Sequence, residues 1–230
     1  MIKKQLLDEA FIKSIESNYV FANNPINRLR SVPDGNETEI QLENLKNRIS
    51  QIENCELKKN SNQLVFSDGN FKSKIMIIGE GPGEKEDLIG KPFVGDAGNL
   101  LNKMLAAINI DREKTYITNL VNYRPPNDRK PLTSEINRYS KFLIEHILLI
   151  NPKIIIIMGN TAMEALVGTN TKISKERGKW KDILIGNKTF LSIITFHPAY
   201  LLRQPDQKRH SWSDLKEIKK KIEFLNINLN

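Results

Sequence analysis

The chain has 230 residues and a mass of 26.4 kDa, with 39% hydrophobic and 27% charged residues, which excludes disordered and fibrous classes and suits one ordinary domain with an appended arm. Its 35 basic against 27 acidic residues leave a formal charge of +8, so a polyanion is the natural partner. One cysteine, Cys55, excludes an intramolecular disulfide framework, and no apolar run reaches the roughly 18 residues of a membrane span.

Residues 1–72 are polar and rich in Asn, Lys and Glu, and they read as an N-terminal helical arm and linker. Two helices are expected there, one near Lys4–Ser17 and one from Thr38. The second shows a capping-box pattern, Thr38 with Gln41, and an apolar stripe at Leu42, Leu45, Ile49 and Ile52. Residues 73–230 read as the main domain. Its β-branched runs Ile75–Gly79, Tyr116–Val121, Ile154–Met158 and Leu191–Phe196 suit strands buried on both faces. Between them, Leu100, Leu101, Met104, Leu105 and Ile108 form one helical face, and Ile136, Tyr139, Leu143, Ile147 and Ile150 another. Asn160–Val167, stopped by Gly168, makes a short helix, and Ser213–Phe224 a last one. Strand and helix in alternation predict an α/β fold around a parallel sheet. The charged start lacks an apolar core and cleavage site, so a cytoplasmic protein is expected.

In such a sheet, ligands bind beyond the carboxyl ends of the strands. Glu80-Gly81-Pro82-Gly83, Thr118-Asn119, Gly159-Asn160 and His197-Pro198 stand at those ends, so a carboxylate, an amide and an imidazole should converge. Singly, each has a structural alternative: Glu80 as a helix cap, Asn119 as a loop partner, His197 as a turn residue. The glycine turn matches neither the dinucleotide fingerprint nor a P-loop, and its glycines suit close approach of a flat ligand. No serine-elbow, zinc-hydrolase or cysteine–histidine pattern is present. His146, inside a predicted helix, and His210, in a polar loop, read as structural. Basic residues ring the same edge: Arg124, Arg129 and Lys130; Lys175, Arg177 and Lys179; Arg203, Lys208 and Arg209.

Gly79-Glu-Gly-Pro-Gly83 with Glu86-Asp87, Gly90-Lys-Pro-Phe-Val-Gly95 and Ala97-Gly98 resembles the first motif of family 4 uracil-DNA glycosylases. Thr118-Asn119 with Arg124-Pro125-Pro126, Arg129 and Pro131 resembles their second, and His197-Pro-Ala-Tyr-Leu-Leu-Arg203 their last. Arg177-Gly178 and Trp212-x-Asp214-Leu215 also match, and the similarity runs over about residues 53–220. The resemblance implies a three-layer α/β/α sandwich around a four-stranded parallel sheet. It also implies hydrolysis of the N-glycosidic bond of deoxyuridine in DNA, single- or double-stranded, by a monomer without a membrane. It makes His197 catalytic together with a water-positioning carboxylate, for which Glu80, nearest the strand end, comes ahead of Glu86 and Asp87. Those two could instead cap the helix or fix the loop that carries Phe93. Gly81, Phe93, Asn119, Glu80 and His197 would bind uracil: Phe93 by stacking, Asn119 by pairing with O4 and N3–H, His197 by donating to O2. Arg124, Arg129, Lys130, Arg177, Tyr200, Leu201 and Arg203 would bind DNA, with Leu201 as a wedge that Leu202 could share.

The resembled family holds an iron–sulfur cluster on four cysteines, at places where this chain has Ile52, Cys55, Tyr123 and Tyr139. The expectation is therefore no cofactor and no metal, with Ile52, Tyr123 and Tyr139 together filling the space. Two other functional readings stay open on sequence: a glycosylase-like DNA-binding module without catalysis, and a glycosylase with broader deaminated-base specificity.

Overall fold

The computed structural model describes residues 35–168 and 172–228, so the helix expected near Lys4–Ser17 lies outside the described residues. The first described helix, α1 (Gly35–Ser50), starts upstream of Thr38. Thr38 is thus an internal, buried residue rather than a cap, and Gln41 donates instead to Glu37 at 2.9 Å. After a single turn, α2 (Glu56–Lys59), the chain enters a six-stranded sheet. In chain order its strands are β1 (Asp68–Gly69), β2 (Ile75–Gly79), β3 (Tyr116–Asn119), β4 (Ile154–Met158), β5 (Trp180–Ile185) and β6 (Lys188–Thr195).

The spatial order is β1-β3-β2-β4-β6-β5. The four inner strands are parallel, as the resemblance implies, and the sequence reading had missed the two antiparallel edges. Strand β1 is only two residues long, and β5 alternates in burial instead of forming a buried run. The inner strands carry side chains into both layers, because successive residues point to opposite faces. Met76, Ile78, Ile155 and Ile157 face one core, with Leu42, Leu45, Ile49, Tyr139, Leu143 and Ile147. Ile75, Ile77, Ile154 and Ile156 face the other, with Leu101, Leu105, Leu215 and Ile218.

The first layer is built by α1 and α5 (Thr133–Ile150), cross-linked by Arg48 and Glu145 at 2.7 and 2.9 Å, and by α6 (Asn160–Val167). The second is built by α4 (Asp96–Ala106) and α9 (Lys208–Phe224). Residues 35–72, read in sequence as arm and linker, pack into the first of these cores, and the compact unit begins at Asp34. Asn151 and Gly168 close α5 and α6 in the left-handed conformation that frees a helix end. Among the described residues no helix is long and apolar enough to cross a membrane.

Candidate functional site

Parallel register fixes the site, since Gly79 pairs with Asn119 and Met158 with Thr195. The loops beyond these four ends enclose a cavity of about 1060 Å³. Its wall includes Glu80, Gly81, Phe93, Asn119, His197 and Tyr200, so residues scattered along the sequence do meet at one edge.

Phe93 follows α3 (Glu84–Ile89) in a loop held from several sides. Its φ is +54°, a conformation that costs a non-glycine residue on the order of 1–3 kcal/mol. Glu86 Oε1 accepts from the Val94 and Gly95 N–H groups at 2.8 and 2.7 Å, and its Oε2 accepts from Gly83 N–H at 3.1 Å. Arg112 donates to the Pro92 and Phe93 carbonyls at 2.6 and 3.0 Å, and is anchored by Asp68 at 2.9 Å. Burial alone would raise the Asp68 carboxyl, but Arg112 and Lys91 outweigh it and hold the group below its ordinary range. Arg112 carries no motif, and the sequence reading missed it. Asp87 accepts from Asn62 and Gln63, so Glu86 and Asp87 both hold loop backbone, and Glu86 also stands in the cavity wall. Gly79 makes room for the ring: a Cβ there would lie 2.4 Å from Asn119 Oδ1 and 2.6 Å from Phe93 Cζ.

Asn119 is buried, and its Oδ1 has no hydrogen-bond partner among the described residues. A buried acceptor left unmatched costs about 1–3 kcal/mol, so the place is prepared for a donor. His197 caps α8 (Pro198–Arg203), its Nδ1 accepting from Ala199 N–H at 3.2 Å. That bond puts the neutral ring's proton on Nε2. The His197 ring stacks on Phe93 with centroids 5.3 Å apart and planes 28° off parallel. Its edge is reachable from the cavity, yet the surrounding atoms strip it of water. Burial first, and the charge of Arg203 second, push its pKa down to about 4. Glu80, half-buried in the wall, accepts from Thr161 Oγ1 at 2.5 Å. Thr161, at the start of α6, is a second contributor that the sequence reading missed.

The residues expected to contact DNA have differing surroundings. Arg124 is tied to Asp128 at 2.8 and 3.1 Å, and Arg129 to Glu135 at 2.8 and 2.7 Å. Arg177 is bound by both oxygens of Asp214, donates to the His210 carbonyl and lies over Phe196. It joins β6 to α9 instead of facing a ligand. His210 itself lies in α9, not in a loop. Leu201 is 1% exposed and belongs to the second core, because its helical phase points it inward. Leu202, 43% exposed, is the leucine that α8 offers to the outside. Lys130 and Arg203 line the cavity without an ion pair among the described residues, and Tyr200 packs on Phe196 at 5.0 Å.

At the four places corresponding to cluster ligands, Cys55, Tyr123 and Tyr139 are buried in one core, with Ile52 packed against it. Cys55 Sγ lies 3.4 Å from Tyr139 Oη, and burial pushes both phenols up. One thiol and two phenols do not fit a four-thiolate cluster, and the described residues contain no group of three or more metal-ligating side chains.

The Uracil DNA glycosylase superfamily profile matches residues 66–216. A type-4 uracil-DNA glycosylase of Thermotoga maritima is 43% identical over 163 residues, covering 70% of this chain and 83% of that protein. Those of Archaeoglobus fulgidus and Saccharolobus solfataricus are 36% and 38% identical, covering 77% and 82% of this chain and 91% and 90% of theirs. These relatives overturn the expectation that the chain has no cofactor, since their type is an iron–sulfur protein. The residues found at the four places nevertheless do not supply that ligand set.

Proposed function

The chain belongs to the uracil DNA glycosylase superfamily, and we propose that the cavity at its sheet edge receives a deoxyuridine swung out of DNA. The protein is a DNA glycosylase that hydrolyses the N-glycosyl bond and leaves an abasic site, the opening step of base excision repair. An enzyme that works on one base must take it out of the stack, at a cost of a few kcal/mol. Phe93, already rigid, would take the flipped ring by stacking. Asn119 Oδ1 would accept from uracil N3–H while its amide N–H donates to O4. Cytosine offers an acceptor at N3 and a donor at C4, and so mismatches both. The observation that carries this reading is the buried Asn119 Oδ1 without a partner among the described residues, beside the Phe93–His197 stack.

The chemistry follows from charge. As C1′–N1 breaks, its electron pair leaves with the base and negative charge grows on O2. His197 Nε2–H would donate there. A neutral imidazole suits this role because it is a fixed donor that needs no counterion in a dry pocket. Water then bonds to C1′ from the opposite side, aligned by Glu80, whose carboxylate is steadied by Thr161. The released proton passes through Glu80 to solvent. Lys130 and Arg203 at the cavity mouth would hold phosphates, with Leu202 toward the gap left in the stack. Action as a cytoplasmic monomer, on single- or double-stranded DNA, is part of this proposal.

Two duplexes differing only in uracil or thymine at one position test it. Alkali should break the strand after incubation with the uracil duplex alone. Intact uracil strands would overturn the reading.

A further inference from the structure

We propose that the exposed face of α9 is a second DNA contact, binding an unpaired stretch of the strand that carries the flipped nucleotide; this rests on the glycosylase reading. Three of the arginines expected to hold phosphate are engaged by carboxylates, so the chain's surplus charge must be presented elsewhere. Helix α9 is one such place. Ser211, Asp214, Leu215, Ile218 and Ile222 turn inward. Lys208, Arg209, Trp212 and Lys216 are exposed, within about a third of the circumference at 100° per residue.

Lys208, Arg209 and Lys216 form no ion pair among the described residues, whereas Lys220 of the same helix is paired with Glu217. Trp212 is 45% exposed, and none of the ring contacts among the described residues includes it. A basic face needs no tryptophan to stay solvated. An indole between an arginine three residues before it and a lysine four residues after it offers a stacking platform flanked by phosphate ligands. From Lys208 to Lys216 the face spans about 12 Å.

Two further observations favour a strand that arrives from the pocket. Arg203 and Gln207 line the cavity wall, and Lys208 follows Gln207 directly, so the basic face of α9 begins beside the cavity. The face is also rigidly mounted. Asp214, on its inward side, is held by Arg177 and by Thr195 Oγ1 at 2.8 Å. Unpaired DNA presents both phosphates and open base faces, whereas duplex DNA hides the latter. The combination of cations with one exposed indole therefore selects a single strand.

The chain has two tryptophans, so Trp180→Phe leaves Trp212 as the sole reporter. The probes are product duplexes with one abasic site, carrying a flank on either side that is single-stranded or paired. An unpaired flank on one side should quench Trp212 emission, and pairing that flank should relieve the quenching. Trp212→Ala should raise Kd for the flanked probe about tenfold, the worth of one stacked base. Arg209→Ala and Lys216→Ala, which keep the tryptophan, should each lower the salt slope by about 0.7, as for a single strand. Unchanged emission at saturating DNA, equal quenching by paired and unpaired flanks, or an unchanged Kd in a folded Trp212→Ala protein would overturn the contact. Uracil release by the parent protein is measured separately. Its failure with quenching intact would sink the glycosylase reading and not this contact.

Discussion

His146 and His197 are both deprived of water, and burial pushes their pKa values down to about 3 and about 4. Their surroundings differ in what is left over. His146 stacks on Phe66 at 4.6 Å and meets Tyr116 Oη at 2.6 Å, while that hydroxyl donates to Ser67 at 2.9 Å. His146 Nε2 and Tyr116 Oη thus find their partners inside the protein. Around His197 the matching is incomplete: Nδ1 is satisfied by Ala199 N–H, while the neighbouring Asn119 Oδ1 has no partner among the described residues.

The largest expected effect tests that contrast directly. His197→Ala should slow uracil release by about 10²–10³-fold, the usual cost of one preorganised donor, with a thermal midpoint close to the parent's. His146→Ala should do the reverse. It opens a cavity and removes one of the two partners of Tyr116 Oη, at a cost on the order of 2–4 kcal/mol, while each folded molecule keeps its rate. A rate loss in His146→Ala to match that of His197→Ala would break the distinction.

Gly79→Ala should rank next, because its methyl would press on Asn119 Oδ1 and Phe93 at once. Displacing them by a fraction of an ångström should lower kcat/KM by about 10–10²-fold. A parent-like rate would show that the pocket tolerates looser stacking than the 5.3 Å pair suggests.

Acid sharpens the comparison further. Both folded pKa values lie below the ordinary histidine value of 6.5, so between them the unfolded chain takes up protons that the folded chain refuses. Stability is therefore fully present above 6.5 and lost as pH falls toward 4 and then 3, by about 1.4 kcal/mol per histidine for each pH unit. Urea midpoints from pH 7 to 5 measure this. Activity should behave differently: His197 stays neutral, with Nδ1 accepting from Ala199 N–H, until about pH 4 and should add no acid limb near 6.5. A limb at 6.5 that disappears in His197→Ala would contradict the desolvated imidazole.

The four inner strands could be read from sequence because burial on both faces leaves an uninterrupted apolar run, as in Ile154–Met158. Strands β1 and β5 could not, the one for shortness and the other because it lies at an edge with Leu184 in solvent. The pocket set was legible for a related reason: strand ends fix where Glu80, Asn119 and His197 must lie, whatever the loops do. Arginine partners obey no such rule. Arg177 and Asp214 are 37 residues apart, and only the packing of α9 on the sheet brings them together. The choice between Leu201 and Leu202 turned on the phase of a six-residue helix that begins at Pro198, which the motif alone does not set.

The smallest predicted effect separates cations by their partners. Arg203 lines the cavity and has no carboxylate among the described residues, so its removal should lower the salt slope of binding to duplex DNA by about 0.9. Arg124 sits in the neighbouring loop with the same charge, but Asp128 already neutralises it. To reach a phosphate it would have to leave two hydrogen bonds to Asp128, and the freed carboxylate would then repel the DNA it had been screened from. Arg124→Ala should therefore change the slope by much less than one contact. Its effect on stability should also be small, since the pair is four residues apart and Asp128 is exposed to salt and solvent. Binding isotherms of the two variants at several salt concentrations compare them. Equal slopes for Arg203→Ala and Arg124→Ala would mean that the ion pair opens when DNA arrives. Charge on this face would then have to be counted by sequence rather than by partner.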